Sequence, residues 1–180
     1  MSHEVIRVSG DTVEEAFINA ARSRLNSAVH KIAHCVDQLS DEQVWQRPQP
    51  EMNSIANLIL HLCGNLRQWI VSGVGGAKDH RDRPAEFSDR SMRPKAELLA
   101  ELRSAIGECH QVMGNVDPRG LLVTRRIQGF DVQLLPAMMD TISHLQGHVQ
   151  EIIHMTRAIR GSAYRFDFVP QGKEQGGAVP

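Results

Sequence analysis

The chain has 180 residues, a formal net charge of −1 and 41% hydrophobic residues. This length suits one domain with a full-sized core. The chain has no basic block that would indicate nucleic-acid binding and no acidic tail that would indicate a basic partner. No apolar run approaches the roughly 18 residues of a membrane span, and the N-terminus lacks a signal-peptide pattern. Three scattered cysteines without a CxxC spacing favour a reducing cytoplasm.

Apolar periodicity predicts two helices in the first half of the chain. The first covers residues 12–39, with Asp11 as its N-cap. A loop containing two prolines separates it from the second helix. That helix starts near Asn53 or Ser54 and ends near Gly73.

A connection rich in Gly, Asp and Arg follows the second helix over residues 73–90. The third predicted helix opens at Pro94, since proline suits the first turn, and ends near Gly114. The stretch LLVTRRIQGFDVQLL then predicts a short β-hairpin around Gly129.

The fourth predicted helix runs from Pro136 to about Ile159 and is stopped by Gly161. The tail after it has aromatic residues at alternate positions, which predicts an extended segment on the bundle surface: Tyr164, Phe166 and Phe168. Four long amphipathic helices predict an all-α four-helix bundle. We expect a single domain over residues 1–180, with a core at about 12–160 and a tail at 161–180.

Three histidines form the most informative pattern in the sequence. His144 and His148 are spaced i, i+4 in HLQGHVQEI, so they share one helix face. His61 lies in NSIANLILHLCGN. On the second helix, ideal geometry places His61 about 120° from the centre of the apolar stripe. On the fourth helix, His148 lies about 80° and His144 about 120° from the centre of the apolar stripe. All three border the core, and together they predict a three-nitrogen metal site with open positions.

The other histidines do not fit this pattern. His30 and His34 have the same i, i+4 spacing, but each points about 160° away from the apolar stripe, which predicts that they face water or another subunit. His110 and His154 have no partner at ligand spacing on a face shared with the core. Cys63 points about 160° away from His61, which predicts a packed thiol rather than a ligand.

Two carboxylates lie within one turn of the histidine pair. Glu151 follows His148 by three residues, so it can be a fourth ligand, a general base, an anchor that orients a ligand, or a solvent-facing side chain. Asp140 precedes His144 by one turn and has a weaker claim to the same roles.

Polar residues near His61 are candidates to bind a substrate. Asn65 and Gln68 share its border strip on the second helix, whereas Arg67 points away and is the least favoured. The motif RDRPAEF favours a loop brace, with Arg81 or Arg83 paired to Glu86, over a role in substrate binding.

Three segments resemble the signature regions of the DinB-like superfamily (DinB/YfiT) of metal-dependent proteins. They are NSIANLILHLCGNLRQWI, RDRPAEF and ISHLQGHVQEIIHMTRAIRG. The resemblance extends from the first helix to Gly161. It implies an up-down-down-up four-helix bundle in which three histidines hold a divalent metal, and the family motifs fall on His61, His144 and His148. It also implies a homodimer, for which the outward face of His30 and His34 offers a surface.

Similar proteins include S-transferases and isomerases that depend on mycothiol or bacillithiol. The leading functional prediction is therefore metal activation of a small thiol, followed by attack on an electrophilic small molecule. A metal-dependent hydrolase is the second enzymatic hypothesis. The third is a non-catalytic metal-binding stress-response module. Imidazole ligands do not choose among nickel, zinc, cobalt, iron and manganese.

Overall fold

A computed structural model describes residues 10–168 and shows four long helices and two short ones. The long helices are α1 (Val13–Val36), α3 (Ile55–Leu66), α5 (Lys95–Asn115) and α6 (Leu134–Arg160). The short helices are α2 (Asp41–Trp45) and α4 (Arg83–Ser88). A π-helix (Arg67–Val74) continues α3, 3-10 turns lie at Pro118–Gly120 and Gly161–Ala163, and the strands are β1 (Thr124–Ile127) and β2 (Phe130–Gln133). None of the helices in the described residues is long and apolar enough to cross a membrane.

The contacts between the long helices define the bundle. α1 and α3 each pack against both α5 and α6, so α1 lies diagonally opposite α3. Lys95, at the start of α5, donates to the carbonyl oxygen of Val36 at the end of α1, so these helices are antiparallel. Cys109, near the end of α5, lies 3.8 Å from the carbonyl oxygen of Leu66, at the end of α3, so these two run in the same direction.

The direction of α6 completes the topology. Residues near the start of α1 and of α6 line one groove, among them Phe17 and Met139. Near their other ends, His34 of α1 meets Arg165, just beyond α6. α6 is therefore parallel to α1, and the predicted all-α bundle with its up-down-down-up order is confirmed.

Helix starts differ slightly from the predictions. Thr12, not Asp11, caps α1, because its side chain accepts a hydrogen bond from the backbone of Glu15. The short helices α2 and α4 and the π-helix were not predicted. α2 depends on a capping box between Ser40 and Gln43, and α4 on a cap by Asp82. Periodicity cannot show elements this short, so capping residues were their only sequence signal.

The predicted hairpin around Gly129 is confirmed. β1 and β2 pair in antiparallel register, from Thr124 opposite Gln133 to Ile127 opposite Phe130. The two turn residues, Gln128 and Gly129, have φ of 50° and 86°, which is the left-handed region that two-residue hairpin turns require.

The face of α1 that carries His30 and His34 is partly covered by the chain itself. His30 Nε2 lies 2.8 Å from the carboxylate of Asp167, and His34 Nε2 lies 2.6 Å from the carbonyl oxygen of Arg165. The His30 side chain is still 70% exposed, so its predicted position facing water is confirmed, whereas His34 is half-buried beneath this segment. The reason is that the backbone beyond α6 turns back along α1, which helical periodicity does not report. The predicted tail beyond residue 168 lies outside the described residues.

The different burial of two leucines predicts that truncating them to alanine changes the stability of the protein by very different amounts. Leu102 of α5 is fully buried, whereas Leu122 is 67% exposed. We expect Leu102→Ala to lower the free energy of unfolding by about 2–5 kcal/mol and Leu122→Ala to change it by less than about 0.5 kcal/mol. Urea denaturation of both variants measures this, and equal losses would contradict the assigned packing of α5.

Candidate metal centre

α3 presents His61 from a rigid position. Ser54 and Asn57 form a capping box at its first turn, and both are buried. Ten of its twelve residues are buried, so the helix has little freedom to rotate. His61 itself is only 5% exposed, and it lies where the apolar face of α3 meets α6.

α6 brings His144 and His148 to the same place. One nitrogen from each of His61, His144 and His148 lies within 4.8 Å of the others. His61 Nε2 is 2.9 Å from His144 Nε2, and the ring centroids of His144 and His148 are 4.5 Å apart. The three predicted metal-ligand candidates are therefore brought together, and within residues 10–168 no carboxylate or thiol joins this group.

This donor set fits a divalent metal ion. Two imidazoles that bind one ion at about 2.0–2.1 Å have nitrogens roughly 3.3 Å apart in tetrahedral geometry. The His61–His144 separation of 2.9 Å is close to that value, and His148 needs only a small side-chain movement to reach the same ion. A three-imidazole set leaves positions for water or substrate.

The outward nitrogen of His61 is held by a buried ion pair. Its Nδ1 lies 3.0 Å from Glu86 Oε2, and Glu86 also accepts hydrogen bonds from Arg81 at 2.7 and 2.9 Å. The side chains of Arg81, Glu86 and His61 are only 4%, 9% and 6% exposed. Arg81 Nη2 lies equally close to Nδ1, at 3.0 Å. The tautomer that donates from Nδ1–H to the Glu86 carboxylate leaves Nε2 free, as metal ligands require. The predicted brace thus exists through Arg81, and it also orients His61.

The charge state of Glu86 follows from competing effects. Burial raises the pKa of its carboxyl group, but the hydrogen bonds from Arg81 and His61 and the charge of Arg81 outweigh burial, so the net pKa lies below the usual value. Glu86 is therefore an anion at neutral pH. The anion favours the tautomer of His61 with its proton on Nδ1, away from the site where the three histidines converge.

A glycine on α3 makes room for this ion pair. A Cβ atom at Gly64 would lie 1.9 Å from Glu86 Oε1 and 3.1 Å from Arg81 Nε. Gly64 is one turn after His61, on the side from which Glu86 approaches. Glycine is thus required here by the close approach of the carboxylate, although it disfavours helix.

The segment that carries Glu86 is anchored at its far end. The Asn57 side chain donates to the carbonyl oxygens of Glu86 and Asp89, and Arg47 donates to the carbonyl oxygen of Phe87 and to Asn57 Oδ1. The Phe87 ring lies against His61, with 4.8 Å between ring centroids. Short α4 is therefore held at a fixed distance from α3.

Gln68 completes the brace on the other side. Its carbonyl oxygen accepts from Arg81 at 2.8 Å, and its amide nitrogen donates to Asp79 at 2.7 Å. Asn65, the other proposed substrate-binding residue, is half-buried, and its side chain forms no hydrogen bond among the residues described. The contact of either side chain with a substrate stays a prediction.

A second carboxylate supports His148. Glu151 Oε2 lies 2.7 Å from His148 Nδ1, and the Glu151 side chain is 43% exposed. This contact matches one of the roles predicted for Glu151, that of an anchor that orients a metal ligand. Glu151 Oε2 lies on the side of the His148 ring opposite Nε2. Asp140 is exposed on α6, and among residues 10–168 it does not join the histidine group.

His144 is held neutral by its surroundings. Partial burial of the ring lowers the pKa of His144, and nearby His148, His61, Arg81 and Arg83 lower it further, to about 4. The Arg83 guanidinium stacks on Phe87 at 4.9 Å, so a positive charge lies beside the cluster. A neutral imidazole is the form that binds a metal.

The remaining candidates lie elsewhere. Arg67 forms ion pairs with Glu108 and Glu101, so it faces α5, as its direction on the helix predicted. Cys63 is 1% exposed, and burial raises the pKa of its thiol, which agrees with a packed residue. His110 contacts Asn26 and Arg22 at another surface: its Nε2 is 2.7 Å from Asn26.

Sequence reasoning missed the link between Glu86 and His61. The motif RDRPAEF drew attention to Glu86, but only as a partner for an arginine. The available signal was Gly64, a helix-disfavouring residue one turn after a candidate ligand, which is typical of a close approach by another group.

Two solved structures share this fold. A DinB-like protein from Bacillus cereus matches with a TM-score of 0.64 and 16% identity over 81% of this chain and 91% of that one. A conserved protein from Enterococcus faecalis matches with a TM-score of 0.68 and 13% identity over 80% and 97%. These two matches show that the chain has a DinB-like fold. The chain belongs to the family described as "Protein of unknown function (DUF1572)", whose family model matches residues 12–173. The search of curated proteins finds no match.

The close approach of Glu86 to Gly64 predicts that replacing this glycine by alanine changes stability in the direction opposite to the usual one. Alanine normally stabilises a helix relative to glycine by about 0.5–1 kcal/mol. We expect Gly64→Ala instead to destabilise by about 1–3 kcal/mol, because Glu86 must move. Gly107→Ala on α5 is the matched control, since nothing lies within 4 Å of its added Cβ, and it should stabilise. Chemical denaturation of both variants tests this, and stabilisation by Gly64→Ala would refute the brace.

Proposed function

We propose that His61, His144 and His148 bind one divalent metal ion and that the protein is a metal-dependent enzyme acting on a small molecule. The observation that carries this proposal is the convergence of the three imidazoles while carboxylates hold the opposite nitrogens of two of them. Metal-binding histidines typically donate their other ring N–H to a carboxylate or a similar acceptor.

An open coordination sphere supports a catalytic rather than a structural role. Structural zinc sites normally have four protein ligands. In the described residues the group contains three imidazoles only, and Glu151 is engaged by His148 instead of pointing into the group. This arrangement favours an enzyme over the metal-braced binding module that the sequence left open.

The leading reaction is the transfer of a small thiol to an electrophile. A bound divalent metal supplies Lewis acidity that makes a thiol or a water molecule more acidic. Glu86 accepts from His61 Nδ1 and compensates the charge of Arg81, so the positive charge that favours an anionic nucleophile nearby is that of Arg83. Asn65 remains a candidate to orient the substrate, and Gln68 is assigned to the Arg81 brace.

A hydrolase is the second candidate, and Glu151 is the observation that favours it. Its carboxylate is exposed at the rim of the cluster and uses Oε2 for His148. Oε1 can accept a proton from an attacking water, a step for which a thiol has less need because it is the stronger acid. Glu151 is thus a catalytic candidate only in this second reaction.

Cellular setting and assembly are also part of the proposal. All three cysteines, Cys35, Cys63 and Cys109, are buried free thiols, which supports a reducing compartment such as the cytoplasm. We propose a homodimer of single-domain chains of residues 1–180 that binds neither nucleic acid nor membranes. The tail contacts at His30 and His34 leave only part of the α1 face for a partner.

Metal uptake is the first test. We expect untagged protein to bind one equivalent of a divalent metal, and His61→Ala and His148→Ala each to lose it, because two imidazoles bind far more weakly than three. His154→Ala is the matched control, an exposed histidine on the same helix. Elemental analysis after equilibration with zinc, nickel, cobalt, iron or manganese measures the stoichiometry. Wild-type protein that binds none of these metals would contradict the proposal.

The reaction class is tested on the metal-loaded protein. A conjugation screen combines several low-molecular-weight thiols with model electrophiles, beside a screen of esters and amides. Thiol conjugation lost in His148→Ala supports the transferase, and ester or amide cleavage lost in Glu151→Gln supports the hydrolase. Stable metal binding without either activity favours the non-catalytic module.

The Glu86 carboxylate should tune metal affinity. We expect Glu86→Gln to weaken metal binding by about 10–100-fold, since an amide holds the His61 tautomer less firmly. Glu97→Gln on the exposed start of α5 is the control and should leave affinity unchanged. Calorimetric titration gives both constants, after circular dichroism shows that each variant is folded. Equal affinities would contradict the role of Glu86.

A further inference from the structure

We infer that the metal centre continues into an apolar groove that binds the tail of an amphiphilic small-molecule substrate. The inference deepens the proposed function, on which it rests, by giving the chemical class of the substrate. The molecule has a metal-binding head at the three histidines and an apolar tail of about 10 Å.

The groove has a volume of about 460 Å³ and lies between the last turns of α6 and the segment after α2. Met155 and Ile159 of α6 form one wall, and Pro48 and Met52 form the other. This volume falls within the range of about 300–1,000 Å³ that small-ligand sites occupy.

The groove and the metal centre lie on one side of α6. With Leu145 as the reference direction, His144 and His148 point to about −100° and −60°. Met155 and Ile159 point to about −80° and −40° on the same scale. Met155 is about 10 Å beyond His148 along the helix axis, and Ile159 about 16 Å beyond it. An extended chain bound at the histidines therefore reaches the groove within two turns.

The lining of the groove fits an apolar tail. Met52 is 47% exposed, although a large apolar side chain gains by burial, so a ligand that covers it is stabilised. Methionine side chains adapt to tails of different shape. Gln43, Gln46 and His154 supply polar groups to the lining. An apolar surface with a few polar groups is typical of small-molecule sites.

Alkyl hydroxamates of increasing length test the inference, because the head binds divalent metals and only the tail changes. Calorimetry on zinc-loaded protein should show affinity rising from acetohydroxamate to octanohydroxamate by at least tenfold, since each buried methylene contributes up to about fourfold. Ala158→Trp should abolish this gain, because Ala158 lines the groove and is exposed. Ala100→Trp, at an exposed alanine on α5, is the control and should retain it.

The outcomes separate the two proposals. If zinc does not load, the metal centre fails and the inference fails with it. If zinc loads but affinity does not depend on tail length, or Ala158→Trp keeps the full gain, the groove is overturned while the metal centre stands. Equal binding of octanohydroxamate to metal-free protein also overturns it, because the head and tail would then not span the two sites.

Discussion

The candidate site depends on one buried carboxylate. Glu86 is shielded from water and must be compensated, and Arg81 and His61 together supply the donors. This requirement ties the long connection between α3 and α5 to the middle of α3. It also decides which His61 nitrogen is free, and so makes a histidine at the border of the core available as a ligand. The contact between Glu86 and His61 requires glycine at position 64, because a side chain at Gly64 would collide with Glu86.

The two supported histidines differ in their surroundings. His61 is buried and held by a charged pair that is itself braced by Gln68 and Asn57. His148 is nearer the surface and is held by the partly exposed Glu151. We therefore expect His61 to set the position of the metal and His148 to adjust to it. His144 has the strongly lowered pKa that keeps it available without such a partner.

Much of the bundle could be predicted from sequence because long apolar stripes report which helix face is buried. The same reasoning separated His144 and His148 from the equally spaced His30 and His34. It could not show that the tail returns to His30, nor that Glu86 reaches His61, because both contacts depend on the path of connections that have no periodicity. The short α2 and α4 were missed for a related reason: capping residues alone define them.

Crystallography of the metal-loaded protein at the absorption edge of the metal tests most directly whether the three imidazoles form an open metal site. We expect one anomalous peak, close to Nε2 of His61, His144 and His148, with solvent at the remaining positions and Glu86 still bonded to His61 Nδ1. A peak elsewhere, or a carboxylate or thiol of this chain as fourth ligand, would contradict it.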